Sequence, residues 1–107
     1  MALKSNGWTT VASAGTPIRV SATRIACHAV FIQQIVGQSG VIHIGTSTSM
    51  DPSDGTDMLA TLPEPTDNLL PSWSSGISGA ANGIDLQEIW IDASVSGEKA
   101  LISYNEG

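Results

Sequence analysis

The segment LQEIWIDASVSGEKALISY, residues 86–104, decides the fold, because apolar and polar residues alternate on both sides of a turn. A period of two is the pattern of a β-strand with one buried face. Ser96 and Gly97 are the turn residues between the two runs. The sequence therefore predicts a hairpin whose apolar face pairs Ala93 with Ala100, Ile91 with Ile102 and Ile89 with Tyr104.

The opposite face of this predicted hairpin places Trp90 beside Leu101. Large apolar side chains at exposed positions are typical of interfaces. Three interpretations stay open: a minor packing layer under a loop of the same chain, a contact between subunits, or a platform for a sugar ring. The same register places Asp92 diagonal to Lys99, which predicts an exposed ion pair.

Outward from this segment, short runs with the same period are separated by Gly, Pro, Ser and Asp. Residues 27–35 are apolar on both faces, which predicts a central strand. A turn at 37–40 is expected to return the chain into a strand at 41–45, with Ile35 opposite Val41. The remaining predicted strands are at 8–13, 18–23 and 58–62.

This pattern predicts an all-β fold in a single small domain. We expect an antiparallel β-sandwich or a jelly-roll-like barrel of roughly six to eight strands over residues 8–107. Residues 1–7 are expected to form an N-terminal arm, and a long irregular loop is expected around 64–84.

The composition excludes several classes of function. The chain has 107 residues with 10 acidic and 4 basic side chains, so its net charge is -6, which argues against nucleic acid as a partner. No apolar run is long enough for a membrane span, and no membrane partner is expected. The start has no stretch like that of a signal peptide, so secretion is not implied. Few Lys, Glu and Arg residues argue against a helical protein.

Residue types that carry chemistry are sparse. Cys27 is the only cysteine and lies in an apolar run, which favours a buried side chain over a nucleophile. His28 and His43 are not cross-strand partners in the predicted register, so a shared metal is not favoured. The acidic loop at 51–57 lacks the glycine and glutamate of an EF-hand and is interpreted as a turn capped by Asp and Ser side chains. We therefore expect no enzymatic activity, no metal and no cofactor.

Five short motifs lie along the chain: Val30–Gln33, Val41–Gly45, the polar loop Asp54–Asp57, the stretch from Asn82 to Ser94 and the closing Leu101–Tyr104. In these motifs the chain resembles small β-sandwich proteins of tailed bacteriophages. The resemblance covers nearly the whole chain, with the insertion at 66–83 the least typical part. It rests on strand patterns, so no site residue carries over.

The resemblance implies a structural component of the virion, assembled in the host cytoplasm. Such proteins include head decoration (cement) proteins, which are commonly trimers at the quasi-three-fold positions of the capsid. The implied partners are the major capsid protein and further copies of the chain. Other structural modules of a phage, such as a head fibre, tail or baseplate component, are the nearest alternative. A carbohydrate-binding sandwich, with Trp73 or Trp90 stacking on sugar, is a further one.

Candidate interface residues follow from the charge pattern and the aromatic residues. Three of the four basic residues lie in the first quarter of the chain, so we expect this end to face an acidic capsid surface or a junction between subunits. The N-terminal arm is expected to order on the capsid or on a neighbouring subunit. The candidate interface residues are Leu3, Lys4, Trp8, Arg19, Arg24, Trp73, Trp90 and Leu101.

Overall fold

A computed structural model describes residues 3–76 and 83–106, and it confirms an all-β fold built from antiparallel sheets. One turn of 3-10 helix, at Leu86–Glu88, interrupts the strands of the described part. The strands are β1 (Leu3–Thr10), β2 (Ile18–Arg19), β3 (Ala26–Cys27), β4 (Ala29–Gln34), β5 (Ile42–Gly45), β6 (Met58–Leu62), β7 (Ser72–Ser74), β8 (Ile84–Asp85), β9 (Trp90–Ala93) and β10 (Lys99–Asn105).

Two four-stranded sheets share one hydrophobic core. Sheet A has the order β1-β10-β4-β7, sheet B has the order β2-β9-β5-β6, and β3 pairs with β8 in a small third sheet. Alternate side chains of the central strands point into the core, as a period of two requires. These inward side chains are Val30, Ile32, Ala100 and Ile102 from sheet A, and Ile42, Ile44, Ile91 and Ala93 from sheet B.

The predicted hairpin pairing across Ser96-Gly97 is wrong. Strand β9 pairs with β5, so Ile91 lies opposite Ile44, whereas β10 pairs with β4, so Ile102 lies opposite Ile32. The prediction that Ile91 and Ile102 are buried on one core is confirmed. Alternating apolar side chains can be buried in two ways. The two runs can pair as neighbours in one sheet, or they can pack against each other from two facing sheets. The turn therefore crosses between the sheets.

The predicted pairing across residues 37–40 is wrong for the same reason. Strand β4 belongs to sheet A, and β5 belongs to sheet B, so Ile35 and Val41 are not ladder partners. The position of β4 between β10 and β7 confirms that the apolar run contains a central strand. Turn chemistry thus located the bend correctly but did not determine which strands it joins.

Two segments expected to be irregular contain strands. Strand β1 begins at Leu3, and Leu3–Thr10 pairs along β10 with an irregularity between Ser5 and Gly7. Residues 3–7 of the expected N-terminal arm therefore lie in sheet A. Strand β7, within the predicted loop at 64–84, pairs with β4. Residues 77–82 of that loop lie outside the described residues.

A buried amide connects the two sheets. Gln34 is fully buried at the end of β4, and its Nε2 donates to the carbonyl oxygens of Gly40 at 3.1 Å and Pro63 at 3.2 Å, which flank β5 and β6. Its Oε1 accepts a 2.7 Å hydrogen bond from Gln38, whose amide also exchanges hydrogen bonds with the backbone of Lys99. Because every partner is a polar group near the core, removing this amide leaves unpaired donors and acceptors.

We expect Gln34→Leu to lower the free energy of unfolding by about 1–3 kcal/mol, because Gly40, Pro63 and Gln38 lose their partner. Urea denaturation measures this difference. The matched control is Gln33→Leu on the same strand, whose half-buried side chain points to the other face of the sheet; it should change the free energy by about 0.5 kcal/mol or less. Equal losses in the two variants would contradict this role of the buried amide.

Candidate functional site

The outer face of sheet A carries exposed apolar side chains beside few charges. Leu3, Phe31 and Leu101 line a shallow concavity of about 470 Å³ across β1, β10 and β4. Trp8 is 59% exposed, and the Lys99 ammonium lies 3.6 Å from the centre of its ring. Strand pairing thus brings Leu3, Leu101 and Trp8 of the candidate interface onto one face, with Trp8 directly opposite Leu101.

Trp90 lies on sheet B, away from Leu101. Strand β2 places Arg19 opposite Trp90, with the guanidinium 4.9 Å from the centre of the indole ring. The two side chains line a concavity of about 560 Å³ together with Glu88 and the hydroxyls of residues 46–48. The expectation that Trp90 and Leu101 lie side by side is wrong, because their strands belong to different sheets.

Trp73 packs inward. Its strand places it opposite the buried Ile32, and its partly buried ring contacts the hydrophobic core. By contrast, Leu69 in the preceding turn is 61% exposed. Within the loop expected around 64–84, Trp73 is therefore packed on the protein, whereas Leu69 is not.

Arg24 is held by an acid that also stabilises the backbone. The Asp85 carboxylate accepts from Arg24 Nε at 3.0 Å and from the backbone N–H groups of Gln87 and Ile25 at 3.0 Å and 3.2 Å. The Gln87 N–H, followed by Arg24 and the Ile25 N–H, holds the pKa of Asp85 below its ordinary value. Lys4 has a weaker link, a 4.0 Å contact with the exposed Glu106.

Cys27 is buried, and His28 and His43 are half-buried. Burial raises the pKa of the Cys27 thiol, with a smaller contribution from the Asp85 charge, so burial favours the neutral thiol over the nucleophilic thiolate. His28 precedes β4 in sheet A, and its Nδ1 is buried without a hydrogen-bond partner in the described part. His43, on β5 of sheet B, lies 3.2 Å from Thr61 Oγ1, and burial lowers its pKa. His28 therefore lies between β3 and β4, outside any strand, whereas His43 lies in sheet B.

The acidic loop is a capped turn, as predicted. Asp51 accepts from the backbone N–H and the hydroxyl of Ser53, and Asp54 accepts from the backbone N–H of Thr56. Hydrogen bonds from Thr56 lower the pKa of Asp54. Within residues 3–76 and 83–106, no group of three or more metal-ligating side chains comes together. The same residues contain no helix with the length and hydropathy needed to span a bilayer.

One end of the molecule is formed by two interlocked turns, at residues 35–40 and 94–98, which we call the turn end. The Glu98 carboxylate accepts from the backbone N–H groups of Ser39 at 2.8 Å and Gly40 at 2.9 Å, and the Ser94 hydroxyl accepts from Val41 N–H at 3.0 Å. A Cβ at Gly40 would lie 2.5 Å from Ser94 Oγ and 2.7 Å from Glu98 Oε1, so a larger residue would displace the two side chains that make these hydrogen bonds. The two turns thus hold each other in place.

Asp92 adds a third loop to the turn end. Its carboxylate, which is buried, accepts from Gly15 N–H at 3.0 Å and Ala93 N–H at 2.8 Å. The predicted ion pair between Asp92 and Lys99 is wrong, because the strands that carry them lie in different sheets and Lys99 stacks on Trp8. The loop that follows β1 is therefore tied to β9.

Exposed apolar side chains are numerous for a chain of this size. On the turn end, Val36 is 68% exposed and Val95 is 40% exposed. Sequence patterns missed both residues because they lie in turns and not on a strand face. The remaining large apolar side chains exposed in the described part are Leu3, Trp8, Ile18, Leu59, Leu69 and Leu70.

Comparisons of the chain with protein-family models, with curated proteins and with solved structures gave no significant match. Three surfaces of the described part are open to a partner: the outer face of sheet A, the Trp90 concavity and the turn end.

We expect Asp85→Asn, which keeps the size of the side chain and removes its charge, to destabilise the protein near neutral pH. The folded pKa of Asp85 is depressed, so its contribution is present above the ordinary Asp pKa of roughly 3.9 and is lost as the pH falls through the lower folded value. The deficit relative to the parent protein should therefore shrink in acid. Thermal unfolding over a pH series measures it.

The matched control for this experiment is Glu88→Gln, at an exposed carboxylate on the adjacent 3-10 turn. It should leave the unfolding midpoint near that of the parent protein at neutral pH. A deficit in Asp85→Asn that stays constant from neutral to acidic pH would show that charge is not what Asp85 contributes.

Proposed function

We propose that the chain is a capsid decoration protein, a β-sandwich that binds the outer surface of a phage head and stabilises it as a homotrimer. Its partners in this proposal are the major capsid protein and copies of itself, its location is the virion, and it performs no catalysis. The observation that supports docking is the turn end, where a hydrogen-bonded scaffold presents Val36 and Val95 to solvent. The strand-pattern resemblance to phage proteins supports the choice of partner.

Rigid presentation matters because binding orders the groups that take part. Loops that are loose before binding lose conformational freedom on docking, whereas loops already held lose little. Glu98 holds the 35–40 turn through two backbone N–H groups, and Asp92 holds the loop at Gly15. The turn end is therefore suited to a repeated, shallow contact. Several copies joined together would strengthen such a contact through multivalency.

Heads purified from phage that lack this coding sequence provide the test. We expect the added protein to sediment with these heads, to saturate at a fixed ratio to capsid subunits, and to raise their thermal disruption temperature. Val36→Asp should weaken binding roughly tenfold or more, because it places a charge in an apolar contact. Cryo-electron microscopy of the saturated heads locates the bound copies.

The matched control is Val36→Thr, which keeps the branched shape without a charge and should bind more strongly than Val36→Asp. Both variants should unfold at a similar temperature, since Val36 is exposed. Heads that neither bind the protein nor gain resistance would overturn the decoration role. Recovery of the protein with tails or baseplates would instead identify it as another phage structural module.

The Trp90 concavity favours a second candidate, carbohydrate binding. An indole ring, the Arg19 guanidinium, the Glu88 carboxylate and nearby hydroxyls offer both stacking and hydrogen bonding to a sugar. We expect Trp90→Ala to abolish any binding seen on a glycan array, whereas Trp8→Ala should retain it. An array on which the parent protein binds nothing would remove this candidate.

A further inference from the structure

The two edges of the fold form opposite flanks. The edge strands of sheet A are β1 and β7, and the edge strands of sheet B are β2 and β6. Contacts join β6 to β7 at one flank. At the other, the Asn6 side chain donates to the carbonyl oxygen of Val20, just after β2, at 2.9 Å. The β1/β2 flank and the β6/β7 flank therefore lie on opposite sides of the core.

The β6/β7 flank is acidic. Between Asp51 and Asp67 the chain carries five of its ten acidic residues and no basic residue. This stretch contains β6 and the loops on either side of it. The acids are Asp51, Asp54, Asp57, Glu64 and Asp67, of which all but the half-buried Asp51 are exposed. With a net charge of -6 for the whole chain, this flank holds most of the excess negative charge.

The β1/β2 flank is basic. Lys4 on β1, Arg19 on β2 and Lys99 on the adjacent β10 are three of the four basic residues of the chain. Lys4 makes a 4.0 Å ion pair with Glu106, and both side chains are about half exposed. The Lys99 ammonium faces the Trp8 ring and has no ion pair within the described part. Arg19 shares its concavity with Glu88. The fourth basic residue, Arg24, is paired with Asp85 away from this flank.

Both flanks also carry exposed apolar side chains. Leu3, which is 73% exposed, and Trp8 lie towards opposite ends of β1, and Leu59 lies on β6 with Leu69 in the loop that follows. Strands β1 and β6 are the edges of their sheets, and each has an unpaired side. Exposed edges and apolar patches of this kind are normally covered in the functional state.

We propose that the chain associates with itself head to tail, the basic β1/β2 flank of one copy docking on the acidic β6/β7 flank of the next. The occupant is a second copy because three of the four basic residues lie on or beside one flank, whereas the other flank carries five acids and no basic residue. A contact between two unlike surfaces generates a closed ring or an open filament, whereas two identical flanks would place like charges together. This interface rests on the proposed decoration role, which requires several joined copies, and it names the surfaces that join them.

Purified full-length protein without capsids provides the test, by light scattering and analytical ultracentrifugation over a range of concentrations and salt. The parent protein should have a mass of at least twice the 11.1 kDa of one chain, and this mass should fall as the salt concentration rises. Lys4→Glu with Lys99→Glu, and separately Glu64→Lys with Asp67→Lys, should each weaken association roughly tenfold or more. An equimolar mixture of the two double variants should form mixed dimers, because the unaltered basic flank of one variant is complementary to the unaltered acidic flank of the other.

Ala12→Glu with Ser13→Glu is the control, since it adds negative charge at exposed positions outside both flanks and should leave association intact. Circular dichroism and thermal unfolding establish that each variant is folded. A parent protein that stays monomeric at all concentrations would overturn the proposal. Loss of association in only one of the two double variants, or a mixture that fails to associate, would also overturn head-to-tail docking.

The result for self-association can be distinguished from the result for binding to heads. Self-association that follows these charge reversals, with no binding to heads, would keep the interface and remove the function. Binding to heads by a protein that is monomeric in solution and on the particle would keep the function and remove the interface.

Discussion

The buried Gln34 amide constrains how the two sheets can meet. An amide in an apolar core must satisfy its donors and acceptor within the protein, and for Gln34 the available partners are backbone carbonyls of sheet B and the side chain of Gln38. Apolar packing alone would tolerate several offsets between facing sheets. The hydrogen-bond geometry selects one of them, and through Gln38 the same network positions the start of β10.

This constraint propagates to the surface. Once β10 and the 35–40 turn are fixed, Glu98 can reach the N–H groups of Ser39 and Gly40, and the turn end becomes rigid. The exposed Val36 therefore owes its position to a polar group deep in the core. The hydrogen bonds around Gln34 and the docking surface proposed at the turn end are therefore linked.

The sequence alone predicted which residues are buried better than which strands are neighbours. Ile91, Ile102 and Ile32 could be assigned to the core from their spacing, because burial depends on local alternation. Their partners could not, because pairing depends on whether a turn joins neighbouring strands or crosses between sheets. One available signal was missed: Gln34 has the same strand parity as the buried Ile32, which marks a polar group in the core.

The candidate interface was predicted in part for a similar reason. Exposure of Trp8 and Leu3 follows from their strand face, and charge counting found the basic residues of the first quarter. The addition of Lys99 to that group, and the separation of Trp90 from Leu101, depend on the three-dimensional strand order. The acidic flank was visible as a run of residues, but its position opposite Lys4 was not.

The place of β10 in sheet A also has a consequence for synthesis on the ribosome. Strand β10 lies between β1 and β4, yet it is the last strand in chain order among the described residues. Sheet A cannot form until β10 has been translated, because β1 has no other partner in the sheet. Neither the interlocked turns nor the β1/β2 flank exists in nascent chains that stop earlier. In the proposed head-to-tail assembly, neighbouring nascent chains on one messenger cannot join through this flank until β10 of each has been translated.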